Sequence, residues 1–299
     1  MFKPILGALA GLMLAVSPAV AQSEAEAPAI WAMSDEDSTV YLLGTVHILH
    51  PDLDWRTPYL DTVLEEVEQV WFEADTLSPE ANAQMTTLIP QLGLNTTDTP
   101  MTQRLSDEAN ADLATFAGRL GANPDQLRAA LDPYQPWIAT IQLAVLQMQA
   151  AGYDPASGVE VVLNQRLADQ DKTFHYLETV EEQLRFFADM PYETQLANLE
   201  LSLHEAVENP DMFDDLVGAW AEGDMDRLNE IMNSDMREQT PELYDVILVQ
   251  RNRNWAPEIA AALDGDEDVL IAVGAGHMPG EEGVIALLQA RGLEVRRVQ

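Results

Sequence analysis

The sequence predicts an α/β fold: a central mixed β-sheet with two strand, Gly-x-x-His, helix units and a large, mostly helical middle insertion. Three observations predict it. Val40–His47 (VYLLGTVH) and Val269–His277 (VLIAVGAGH) are apolar runs of strand length that break at Gly44 or Gly274 and deliver His47 or His277 three residues on. Two more short apolar runs, Gln69–Phe72 and Thr173–Leu177, each end in a carboxylate, Glu73 or Glu178. Elsewhere the apolar spacing is helical and punctuated by cap signals. Continuous apolar runs mark strands buried on both faces, and the crevice beyond the carboxyl ends of such strands is where open α/β sheets hold ligands.

The elements follow in order. Ile30–Met33 and Thr39–Leu43 flank the polar turn 34–38, which reads as a hairpin. Pro58 opens a helix to about Glu68, with Leu60, Val63, Leu64 and Val67 on one face. Strand Gln69–Phe72 comes next, with Glu73 at its end. From Ser78 to about Ala151 the pattern is helical, and Ser78-Pro79-Glu80, Ser106-Asp107-Glu108 and Asp132-Pro133 read as helix starts. Met85, Met101, Phe116, Trp137 and Met148 suit core positions on these helices, or else the wall of an apolar substrate groove. A helix over 158–170 leads to strand Thr173–Leu177. Thr179 with Glu182 then forms a capping box that starts the next helix at once. Helices are expected over 193–207, 213–222 and 242–263, with Pro257 kinking or dividing the last. Strand Asp268–Val273, helix Gly283–Ala290 and strand Glu294–Val298 close the chain. No linker divides it, so 22–299 reads as one domain with a helical insertion over about 78–240.

The first residues read as a secretory signal over 1–21. Lys3 precedes an apolar stretch, Ile5–Val16, and small residues Ala19-Val20-Ala21 offer a cleavage site. The stretch falls short of the roughly 20 apolar residues a membrane span wants. The expected address is therefore the periplasm or the exterior, with no membrane anchor kept after cleavage. There is no cysteine, so neither a lipid-anchored cysteine nor a disulfide framework is available.

Fifteen Lys and Arg stand against 51 Asp and Glu, a net charge of −36. Such a surface repels nucleic acid and anionic lipid. The chain has no Gly-x-Ser-x-Gly elbow, no phosphate loop and no His-Glu-x-x-His. What remains is His47, His277, Glu73 and Glu178 at strand ends, with Arg251 available to hold a substrate carboxylate or a site acid. Neutral imidazoles and a carboxylate suit a divalent transition ion, and three such ligands leave positions open for water and substrate. The candidate metal ligands and catalytic residues are His47, Glu73 and His277. Glu178 and Arg251 are candidate substrate contacts, and Gly44 and Gly274 shape the rim, where glycine permits a sharp turn or close approach.

Gly44-Thr45-Val46-His47 and Gly274-Ala275-Gly276-His277, continued by Met278-Pro279-Gly280, resemble the paired motifs of the TraB/PrgY/GumN superfamily. Glu73, the stretch Leu177-Glu178-Thr179 with Gln183, and Arg251-Asn252 followed by Trp255 extend the resemblance from about Tyr41 to the C-terminus. The chain looks most like the bacterial GumN-type branch. That superfamily is distantly similar to the Tiki metalloproteases and related in fold to erythromycin esterase and ChaN-like proteins. The protease likeness implies a metal-dependent hydrolase, with peptidases as the class it points to and manganese or cobalt as the ion. The esterase likeness implies a metal-independent variant with His47 as general base, oriented by Glu73. The pheromone-shutdown members imply another class, a protein that binds and sequesters a peptide or small ligand without turning it over.

Overall fold

The structure is a computed structural model that describes residues 27–299. The expected signal segment, 1–21, lies outside the described residues. Six strands form one mixed sheet: β1 Ile30–Ser34, β2 Thr39–Thr45, β3 Gln69–Ala74, β4 Thr173–Glu178, β5 Val269–Gly274 and β6 Arg296–Arg297. Their spatial order is β4-β3-β5-β2-β1-β6. The central four, β2 to β5, run parallel, β1 returns antiparallel to β2, and β6 pairs antiparallel with β1. The fold is thus α/β, with a large helical insertion, as the sequence predicts. Strand β5 slots between β2 and β3, so the last Gly-x-x-His segment is threaded beside the first.

Period-2 alternation explains why these strands are apolar throughout. Leu43, Val70, Phe72, Leu270 and Ala272 pack into the core on one face of the sheet. Val40, Leu42, Trp71, Val269, Ile271 and Val273 pack into the other. Both faces are covered by helices, as buried parallel sheets require.

The helix starts at Ser78, Ser106 and Thr179 are seen, each side chain accepting from a backbone N–H of the first turn, with a complete capping box at Thr179 and Glu182. Asp132-Pro133 does not start a helix. Asp132 instead ends the helix Pro124–Leu131 and turns its carboxylate to Thr102, and the next helix, Pro136–Ala150, begins at Pro136. Pro257 does not divide its helix: it lies inside Gln250–Ala261, while the irregularity falls upstream, in a π-helical turn at Asp245–Val249. A second π turn, Glu230–Ser234, was not foreseen. Met101 and Phe116 sit in a separate helical core with Leu113, Leu143 and Leu199.

Candidate functional site

All the candidate residues gather at the carboxyl end of the parallel strands, in two clusters. The first forms around His47. Beyond β2, Val46 O accepts from Val159 N at 3.0 Å and Leu49 O from Asp154 N at 2.9 Å, which ties this loop to the start of the helix Val159–Leu167. Gly158 makes that approach possible, because a Cβ there would stand only 2.0 Å from His47 O. Glu160, in the helix's first turn, thereby reaches His47: Nδ1 and Oε1 are 2.8 Å apart. Thr45 Oγ1 donates to the same Oε1.

The Glu160 carboxylate raises the His47 imidazole from its ordinary value to about 9, against the opposing effect of burial. The His47 side chain is 68% exposed, so water screens part of this attraction. For Glu160, burial favours the neutral form most strongly of any one effect, but His47, the Thr45 hydroxyl and a backbone N–H together outweigh it and draw the carboxyl below the usual range. The resting pair is therefore imidazolium and carboxylate.

The second cluster is built on Arg251 and is buried. Its Nη2 donates to Glu73 Oε2 at 2.6 Å and to Glu178 Oε2 at 2.8 Å, and its Nε donates to Glu178 Oε1 at 2.9 Å. The guanidinium also lies 4.6 Å from the Trp255 ring centre, a cation–π contact. Gln183 Nε2 donates to Glu73 at 3.0 Å and to Glu178 at 3.3 Å. Gly274 N donates to Glu73 Oε1 at 2.7 Å, linking β5 to β3. Burial acts to raise Glu73, yet Arg251, His277 and His47 together bring it down to about 2. Glu178 keeps a raised value because burial outweighs Arg251 there.

His277 has a fixed orientation. Asn252 Nδ2 donates to Glu282 O at 2.8 Å, so Asn252 Oδ1 is the acceptor facing His277 Nδ1 at 2.6 Å. Nδ1 therefore carries the proton, and Nε2 presents its lone pair to Arg251 Nη1 at 3.2 Å, with Glu73 Oε1 at 3.7 Å. Burial lowers His277 to about 3, so it stays neutral.

Gly44 and Gly274 serve by close approach. Neither has positive φ. A Cβ on Gly44 would stand 3.0 Å from Ala275 Cα, and one on Gly274 would stand 3.0 Å from Glu73 Oε1. Trp220 Nε1 donates to Gly44 O at 2.8 Å, which fixes the rim from the other side.

The donors for an ion are divided between the clusters. Glu73 and His277 face one another, but the Arg251 guanidinium already bonds both, and a dication there would meet its positive charge. His47 is engaged by Glu160 instead. Among the described residues no three His, Asp or Glu side chains gather to hold a metal. In this arrangement the residues do not fit one manganese or cobalt ion shared by His47, Glu73 and His277.

His47, Glu160, Glu73 and Gln183 line one cleft of about 580 Å³, whose other walls include Phe72, Leu77, Met85 and Tyr176. Arg251 and His277 stand behind Glu73, outside that lining. An apolar cleft with a few convergent polar groups is the usual form of a small-molecule site.

The profile of the TraB/PrgY/gumN family matches residues 29–297, which takes in both clusters. The chain belongs to the TraB/PrgY/gumN family. Within the curated proteins it is 28% identical over 153 residues to "Uncharacterized protein YbaP" of Escherichia coli (strain K12) and to the protein of that name in Shigella flexneri. That alignment takes 51% of this chain and 56% of each relative, so the chain spans about half the length of the curated relatives it matches. No solved structure matches.

The sequence places His47, Glu73, Glu178 and His277 at strand ends and offers Arg251 as the partner of a site acid; in the structure Arg251 bonds Glu73 and Glu178 beside His277, while His47 stands apart on Glu160. Sequence reasoning missed Glu160 and Gly158. A carboxylate in a helix's first turn reads as a partner of the helix dipole, and nothing local announces that it faces a histidine 113 residues earlier.

Proposed function

We propose that this chain is an exported hydrolase of neutral, partly apolar esters or peptides, with His47 as the base. The observation that carries this reading is the His47–Glu160 pair at the wall of an apolar cleft. His47 Nδ1 is engaged by Glu160, while Nε2 has no protein partner among the described residues. Neutral His47 takes a proton at Nε2 from a water molecule as that water's oxygen attacks the substrate carbonyl. Glu160 stabilises the imidazolium so formed, and the same proton then passes to the leaving oxygen or nitrogen. Glu73, held ionised, adds to the field that favours the imidazolium.

The esterase likeness assigned the orienting role to Glu73. We assign it to Glu160, because Glu73 is taken up by Gly274, Arg251 and Gln183. Export rests on the N-terminal sequence, and no helix of the described residues is long and apolar enough to cross a membrane.

The second reading is sequestration of a peptide or small ligand without turnover, favoured by the saturated hydrogen bonding of Glu73. The test is hydrolysis of a panel of p-nitrophenyl esters and peptide anilides, with manganese or with EDTA, by wild type and His47→Gln. Turnover by wild type that survives EDTA and is lost in the variant supports the proposal. Equal turnover by both removes His47 as the base. Calorimetric binding without turnover favours sequestration, and activity that requires manganese restores the metal-dependent reading.

A further inference from the structure

Every carboxylate on the wall of the His47 cleft is engaged within the protein. Glu160 is held by His47 and Thr45, Glu73 by Arg251, Gln183 and Gly274, and Asp75 by the backbone N–H groups of Leu77 and Ser78. Two part-buried polar side chains of the same wall are free: the amide of Asn164 and the hydroxyl of Tyr176. Neither bonds to a described residue, and the polar atoms of both are open to solvent rather than sealed in the core. The free hydrogen-bonding chemistry of this part-buried wall is therefore neutral.

Their placement follows from the fold. Tyr176 lies opposite Phe72 in the pairing of β3 with β4, and packs on the sheet face that the helix Val159–Leu167 covers. Asn164 comes one turn after Glu160 on that helix, so the two project from the same side. The step along the axis is about 6 Å, the span of roughly two residues of extended chain. Burial and the Asp75 carboxylate raise the Tyr176 phenol, which keeps its hydroxyl a donor. Asn164 offers an acceptor and a donor. A secondary amide presents the complement, one C=O and one N–H.

We propose that Asn164 and Tyr176 form a specificity subsite for a secondary amide of the substrate, next to the carbonyl attacked at His47. The inference rests on the hydrolase reading of His47 and narrows its substrates to N-acylamino esters or amides, over simple alkyl esters. The Tyr176 hydroxyl donates to the amide C=O, Asn164 Oδ1 accepts from its N–H, and an acyl tail lies against Phe72, Leu77 and Met85, which share the wall.

Calorimetry with two uncleavable ketones tests this: N-(2-oxopropyl)butanamide, and 2-octanone, which has the same chain length and no amide. Tyr176→Phe and Asn164→Leu should each weaken binding of the amide about tenfold, the worth of one hydrogen bond, and leave 2-octanone within about twofold of wild type. Retained binding of 2-octanone also shows that each variant is folded. The proposal is overturned if either variant binds the amide as wild type does, if both probes weaken equally, or if the amide does not bind saturably to wild type. Tighter binding of heptylammonium than of either ketone would assign the cleft to a cation and overturn it too. Because neither ketone can be hydrolysed, a negative result removes the subsite alone and leaves the His47 reading to the ester panel.

Discussion

His47 Nδ1 lies 2.8 Å from Glu160 Oε1, and the contact exists because Gly158 lets a helix start against the His47 carbonyl. The two histidines of the repeated Gly-x-x-His device therefore have opposite characters. His47 is paired and held protonated, while His277 is buried and held neutral.

Removing the carboxylate should return His47 toward its ordinary value. In Glu160→Gln the pKa, followed by imidazole NMR, is expected to fall from about 9 toward the unperturbed value of about 6.5. A His47 titration that is the same in both proteins would show that the pair does not form in solution.

Gly158→Ala should be the most damaging glycine substitution at the rim. Its Cβ would meet His47 O at 2.0 Å and His47 C at 2.6 Å, both backbone atoms that cannot swing aside. The expected loss is on the order of 1–3 kcal/mol, with chemical-shift changes at His47. Gly44→Ala meets Ala275 Cα at 3.0 Å, and should cost less. Urea unfolding of the two variants gives the ranking, and the reverse order would contradict it.

Arg251→Met leaves Glu73 and Glu178 buried without their cation. Breaking such a cluster from one side costs about 3–5 kcal/mol. Combining it with Glu73→Gln and Glu178→Gln should recover part of that loss, because the stranded charges go too. A triple variant less stable than Arg251→Met would show that the acids are not held mainly by the arginine.

Stability should fall on acidification through two linked groups. The folded pKa of His277 is lowered, so the unfolded chain takes up a proton below about 6.5 that the folded chain refuses until about 3. Glu73 is lowered from 4.5 to about 2 and adds a second proton below 4.5. Each proton contributes a slope of about 1.4 kcal/mol per pH unit within its window. The His47 pair acts with the opposite sign, since its folded value is raised: its contribution is present below about 6.5 and is lost as pH rises toward 9. Melting temperatures measured from pH 8 to 4 should fall below pH 6.5 and steepen below 4.5. A flat profile between pH 6.5 and 5 would mean that His277 is not buried as a neutral ring.

Much of this was legible in the chain because local signals and long-range placement agreed. Every parallel strand was marked by its apolar run, and Thr179 with Glu182 announced its own cap. The rim residues were legible because Glu73, Glu178 and His277 each end or follow such a strand. The partition of the site was not. Pleating sets Leu43 and Thr45 toward one face of the sheet and Trp71 and Glu73 toward the other, so His47 falls to Glu160 and Glu73 to Arg251. That choice depends on strand register and on a helix docked through Gly158, neither of which a single sequence displays. Asp132 failed as a helix start for a related reason, since its carboxylate was claimed by Thr102 from another segment.

The pH dependence of kcat/KM for a hydrolysed ester, in wild type and Glu160→Gln, tests the central claim most directly. If neutral His47 is the base, wild-type kcat/KM should rise about tenfold per pH unit and level off near 9. In Glu160→Gln the plateau should begin near 6.5 and lie lower, because a less basic imidazole is a weaker base. A wild-type profile that is flat from pH 6 to 9, or one whose inflection is unmoved by Glu160→Gln, would contradict the assignment of the His47–Glu160 pair as the proton-transfer centre.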